Sequence, residues 1–195
     1  MNGIEFVDEI YHSNAPTNVS ISRLCGASLT ISLSAGNDDR GTDQKDLYYL
    51  RGKALGEYSI QGTVTLHIGQ GVFFPVINTF SNLYDIEAMK LDVKTDIVAT
   101  VEKRASIDGE MIKEDHTFRV SKAPFDLVVP TGGFQMGQLI VGAGSHKSAT
   151  DGHWILILPR SEDNRCLDQG HHKISFGRKT KRGFHTAASY NVIQL

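Results

Sequence analysis

A chain of 195 residues that is 40% hydrophobic and 22% charged has the apolar material for a full core, which excludes disorder as a description of the whole. The length predicts one domain over residues 1–195. A formal net charge of -2 removes any global pull toward nucleic acid or an anionic membrane.

No apolar run is long enough for a transmembrane helix, and the segment MNGIEFVDEI lacks a basic stretch followed by an apolar block. A soluble protein without a signal peptide is the expectation. Cys25 and Cys166 form either one bridge or two reduced thiols, and two cysteines make no metal motif.

In chain order, Val19 to Leu33 alternates in two bursts broken at Gly26, which predicts two strands or one bulged strand. Gly36 to Asp46 is a loop whose carboxylates Asp38, Asp39, Asp43 and Asp46 suit calcium in donor type but match no EF-hand spacing. A solvated acidic loop explains them as well. Asp46 to Leu50 and Tyr58 to Ile68 predict strands, with His67 facing outward. Ile68-Gly69-Gln70-Gly71 reads as a hairpin turn.

The stretch Gly69 to Thr79, GQGVFFPVINT, predicts a buried strand. Pro75 removes a ladder donor, so that strand is either at an edge or bulged there. Asn78 stands at its exit, where an amide caps a turn or meets a ligand.

Met89, Val93, Ile97 and Val101 recur every fourth residue and predict an amphipathic helix between Glu87 and Lys103, although the β-branched content of Asp96 to Val101 favours strand. Ile107-Asp108-Gly109-Glu110 is an Asp-Gly hairpin signal. Thr117 to Val120 and Phe125 to Val129 predict short strands joined through Ala123-Pro124. Thr131 to Thr150, rich in Gly and Ser, predicts a long loop over a site. Trp154 to Leu158, His172 to Phe176 and Ala187 to Ile193 predict closing strands.

GQGVFFPVIN, Ile107-Asp108-Gly109, Asp151-Gly152-His153-Trp154 and GHHKISFG, taken in that order, resemble the pattern of a widespread group of uncharacterised bacterial proteins. The resemblance covers residues from about Leu47 onward. It implies a compact β-sandwich with a helix, often exported, and implies no agreed activity. The chain departs from that pattern in its basic run Lys179 to Arg182 and in Ser175, where a second histidine is frequent.

The side chains able to carry chemistry gather late in the chain. His146, His153, His171, His172 and His185 offer imidazoles, and two or three with a carboxylate suit a divalent metal, though no diagnostic spacing occurs. Adjacent His171 and His172 face opposite sides of a strand. No Gly-x-Ser-x-Gly elbow is present; Gly142-Ala-Gly-Ser-His is only superficially similar. The basic residues between Lys173 and His185 carry too few aromatics for nucleic-acid stacking, and a solvated hairpin explains them.

The sequence therefore points to a mainly β fold, an antiparallel β-sandwich of jelly-roll-like or immunoglobulin-like type with one helix. The leading functional expectation is a ligand-binding domain with a small-molecule or sugar-type pocket under the Thr131 to Thr150 loop. Asn78, Asp151, His153 and Trp154 would form its wall, with His172, His185 and Asp108 nearby. The alternative is an isomerase, cyclase or hydrolase needing no organic cofactor, with His153, His172 and Asp151 in acid–base roles, metal-assisted or not. A calcium-dependent interaction module built on Asp38 to Asp46 is the third reading.

Overall fold

The computed structural model of the chain describes residues 5–6, 42–44, 47–50, 52, 59–82, 85–129, 134–136, 139–181 and 185–195. Their early strands are β1 (Glu5–Phe6), β2 (Thr42–Gln44), β3 (Leu47–Tyr49), β4 (Ser59–Leu66) and β5 (Gly71–Ser81). One helix, α1 (Ile86–Val98), follows, and then β6 (Thr100–Ile107), β7 (Glu110–Met111), β8 (Phe118–Val129), β9 (Phe134–Met136) and β10 (Leu139–Val141). The last strands are β11 (Gly144–Leu158), β12 (Gly170–Thr180) and β13 (His185–Gln194).

Two sheets pack face to face in a mainly β, sandwich-like fold. The first runs β1-β11-β5-β3-β2 with β8 also on β11, and the second runs β4-β13-β12-β6-β7. Phe74, Ile155 and Ile157 from the first meet Val64, Ile107, Ile174 and Tyr190 from the second in one buried cluster. The Phe74 and Phe176 rings lie 4.9 Å apart between centroids, and Phe176 stacks on Tyr190 at 6.1 Å. Both sheets are mixed. The expected antiparallel ladder dominates, yet β3 pairs parallel with β5 and β4 parallel with β13.

The second parallel pairing corrects the reading of residues 68–71. Gln70 N–H does donate to the His67 carbonyl at 3.0 Å, closing a turn, but β4 and β5 belong to different sheets. That turn carries the chain between layers instead of closing a hairpin. His67 is exposed, as its alternation predicts. The Asp-Gly signal holds: Asp108 and Gly109 take φ values of 53 and 85 degrees between β6 and β7, the geometry of a two-residue hairpin.

Helix α1 starts at an Asp85 N-cap, whose carboxylate accepts from the Ala88 amide at 2.8 Å. Met89, Val93 and Ile97 form its buried stripe, and Met89 and Val93 pack on Ala149 of β11. The helix stops at Val98, short of the expected Lys103. Thr100 and Val101 are β-branched and begin β6, so the strand preference prevails there.

Phe118–Val129 forms one strand where two were expected. Pro124 is tolerated because β8 pairs only with β11 among the described residues, and the ladder slips opposite it, between Ser148 and Thr150. The expected loop of residues 131–150 is another correction: it contains the β9–β10 hairpin and the first part of β11, from Gly144 to Thr150. The expected strands between Val19 and Leu33, and most of the acidic segment from Gly36 to Asp46, lie outside the described residues.

Candidate functional site

Pro75 is where β5 and β11 lose their simple register. Trp154 pairs with Pro75 and His153 with Ile77, leaving Val76 as the extra residue of a bulge. The strand is thus interior and bulged. Since β11 itself runs on without a break there, Asp151, His153, Ile155 and Ile157 share the face turned to the second sheet, and Gly152, Trp154 and Leu156 take the other.

On that inward face stands a polar constellation. Arg119 lies directly opposite His153 in the β8–β11 ladder and reaches along the strand to Asp151. Its Nε donates to one Asp151 oxygen at 2.9 Å and its Nη2 to the other at 2.6 Å, a bidentate pair. Asp151 is 1% exposed and the Arg119 side chain 46% exposed, so the carboxylate is anchored behind a guanidinium that faces outward.

Next to these groups a cleft of about 400 Å3 opens between the sheets. Val76, Ala105 and Ile112 give it apolar wall, and Thr100, Lys103, Glu114 and Thr117 give it polar groups. Lys103 donates to Glu114 at 2.5 Å, and that bond with the Lys103 charge holds the Glu114 carboxyl below its ordinary value. Glu102, on the same wall, pairs with Arg104.

His153 is half-buried. Burial first, then the positive charges of Lys103 and Arg119, lower its pKa from 6.5, outweighing the opposing charges of Asp151 and Glu114. Its imidazole is therefore neutral at neutral pH and able to accept a proton or a hydrogen bond.

The remaining predicted residues divide between other places. Trp154 is 1% exposed and stacks on Phe73 at 5.1 Å on the face turned away from the cleft, so it fills core rather than offering a stacking wall. Asn78 pairs with Gly152 and shares that outer face. The His185 backbone pairs with Lys179 at the β12–β13 turn, and its side chain lies outside the described residues.

Asp108 and His172 meet each other in the second sheet. His172 Nδ1 lies 2.7 Å from an Asp108 oxygen and Nε2 lies 2.7 Å from the Asp168 carbonyl, while the Lys173 amide donates to Asp108 at 2.7 Å. Burial pushes the Asp108 carboxyl up, and the bonds from His172 and Lys173 with the His172 charge more than offset it, leaving it below 3.8. Both ring nitrogens being occupied, His172 serves as a clamp between strand, turn and loop.

His171 is exposed on the opposite side, and His146 bonds back to the Gly142 carbonyl at 2.7 Å. Among the described residues no three His, Cys, Asp or Glu side chains are grouped to hold a metal ion. Cys166 is a free thiol, buried, with its pKa pushed up to about 12 by burial. Among the described residues no helix is long and apolar enough to cross a membrane.

Arg119, Lys103 and Glu114 are the site residues that sequence reasoning missed. Arg119 sits 32 positions before Asp151, and nothing local to it signals the pairing. No family model matches the chain, and neither does any curated protein or solved structure.

Proposed function

We propose that this chain is a small-molecule-binding β-domain whose ligand, a polar molecule of sugar size, occupies the cleft between the sheets beside His153. One observation carries the reading: apolar wall from Val76, Ala105 and Ile112 meets hydroxyl, ammonium and carboxylate groups in a space of about 400 Å3, and the charges of Lys103 and Glu114 in that lining act on His153. That combination of volume and lining is typical of small-ligand sites, whose volumes run from ~300 to 1,000 Å3. The pocket assigned by this reading lies against β5, β6 and residues 112–117, not under residues 131–150.

Isothermal titration against monosaccharides and their acids tests it. Saturable binding should weaken at least tenfold in Ala105→Leu, which adds bulk at the cleft wall, and in Thr117→Tyr, with the thermal midpoint of each variant as the folding control. Absence of saturable binding across both classes rejects the reading.

A second reading, an acid–base enzyme, draws support from the neutral imidazole of His153. It expects that His153→Ala removes most turnover of a bound substrate while binding persists. Equal turnover in wild type and variant rejects it.

A further inference from the structure

We propose that the ligand of this cleft carries an oxyanion, a carboxylate or a phosphate, that seats between Arg119 and His153 and binds together with a proton. The proposal rests on the ligand-binding reading above and adds the ligand's chemistry to it.

Arg119 is built for this. Asp151 engages only Nε and Nη2, so the Nη1 edge of the guanidinium has no partner among the described residues. Asp151, buried at 1% exposure, acts as a positioning residue that fixes the plane of the fork. A guanidinium already fixed loses little further freedom when it takes a second planar anion. His153 stands directly across the ladder from Arg119, and such cross-strand neighbours have Cβ atoms about 5 Å apart. One oxyanion reaches both side chains from there.

The surrounding charges explain the proton. Arg119 from β8 and Lys103 from β6 act on His153 as cations, with Asp151 of its own strand and Glu114 of the turn at residues 114–116 as anions. From β5 the neighbours are Val76 and Ile77, and from α1 the buried groups are Met89, Val93 and Ile97, all uncharged. Both carboxylates are already committed, Asp151 to Arg119 and Glu114 to Lys103. An imidazolium at His153 thus finds two cations and no unengaged carboxylate. A bound oxyanion supplies the missing counter-charge, so anion and proton favour each other by linkage.

The test follows the His153 ring by NMR across pH 5 to 8 in the whole chain, with sulfate, gluconate or glucose as probe. Sulfate and gluconate keep their charge over that range. Each should raise the His153 titration midpoint by about one unit, equivalent to a tenfold gain in anion affinity that sets in as pH falls through the shifted midpoint and is complete below the ligand-free one. Glucose should leave the midpoint unmoved. In His153→Gln the anion affinity should become flat with pH, and Arg119→Lys, which keeps the charge and loses the fork, should weaken it.

Glucose binding with neither anion competing or moving the midpoint overturns the proposal and leaves the ligand-binding reading intact. If none of the probes binds, both fall. An unchanged pH profile in His153→Gln also overturns the proposal, and should Arg119→Lys fail to fold, the His153 variant and the midpoint measurement decide.

Discussion

A methyl group at Gly152 would lie 2.7 Å from the Ile77 carbonyl oxygen and 2.8 Å from the Trp154 indole nitrogen. The buried indole N–H has no hydrogen-bond acceptor among the described residues, so its position is set by packing alone. Gly152→Ala should therefore displace Trp154 and destabilise the fold by ~1–3 kcal/mol, with a shift in tryptophan emission, measured by urea denaturation. The ion pair beside it is asymmetric. Arg119→Ala strands the buried Asp151 charge and should cost ~2–4 kcal/mol, allowing for the exposed side of the arginine. Asp151→Asn should cost less, because Arg119 still reaches water; equal losses in the two denaturation curves would refute this account.

The four residues Asp151 to Trp154 show how far a sequence reading carries. Their place in a strand with polar flanks was legible from the apolar run that follows them. Their division between two faces was legible only in part, because Trp154 as a ligand wall required the same face as His153, and alternation forbids that once the strand continues through both.

At the scale of elements, β11 is the instructive case. Ser145, Ser148 and Thr150 gave residues 131–150 the composition of a loop, yet Ser148 and Thr150 are buried in the strand. Thr150 survives burial because its hydroxyl donates to the Thr79 carbonyl at 2.8 Å. Local propensity carried no sign of that partner 71 residues away. Helix α1 was legible because its stripe is periodic, while its end depended on whether Thr100 and Val101 found a neighbouring strand.

The Asp108–His172 clamp joins the β6–β7 turn to β12 and to the loop before it, and it predicts a pH dependence. The Asp108 carboxyl is lowered in the folded chain, so the clamp's stabilisation is present above the ordinary carboxyl value of 3.8 and is lost as pH falls through the folded value. Acid unfolding of wild type should thus show a steeper loss below about pH 4 than Asp108→Asn, which lacks that slope. Superimposable acid curves would remove the clamp from the account.

Across the whole molecule, the second sheet closes around its final strand. β13 lies between β4 and β12, pairing with β4 from Ala187 to Gln194 and with β12 from His185 to Gln194. Buried Gln194 adds a polar tie: its amide oxygen accepts from the Leu167 amide and the Cys166 thiol, each at 3.4 Å, and its nitrogen donates to the Leu66 carbonyl at 3.3 Å. Gln194→Ala leaves those buried groups without their partner and should cost ~1–3 kcal/mol, read as a lower thermal midpoint. The sandwich architecture was legible from strand density, whereas the parallel pairings were not, since strand order depends on contacts more than a hundred residues apart, such as Ser59 with Ala187.

The interior position of β13 also governs when the molecule can take shape during synthesis. β4 is made more than a hundred residues before the strand it pairs with, and until that strand leaves the ribosome its edge waits unclosed. A nascent polypeptide arrested before residue 185 should accordingly remain protease-sensitive and be held by chaperones, and resistance should arrive in a single late step.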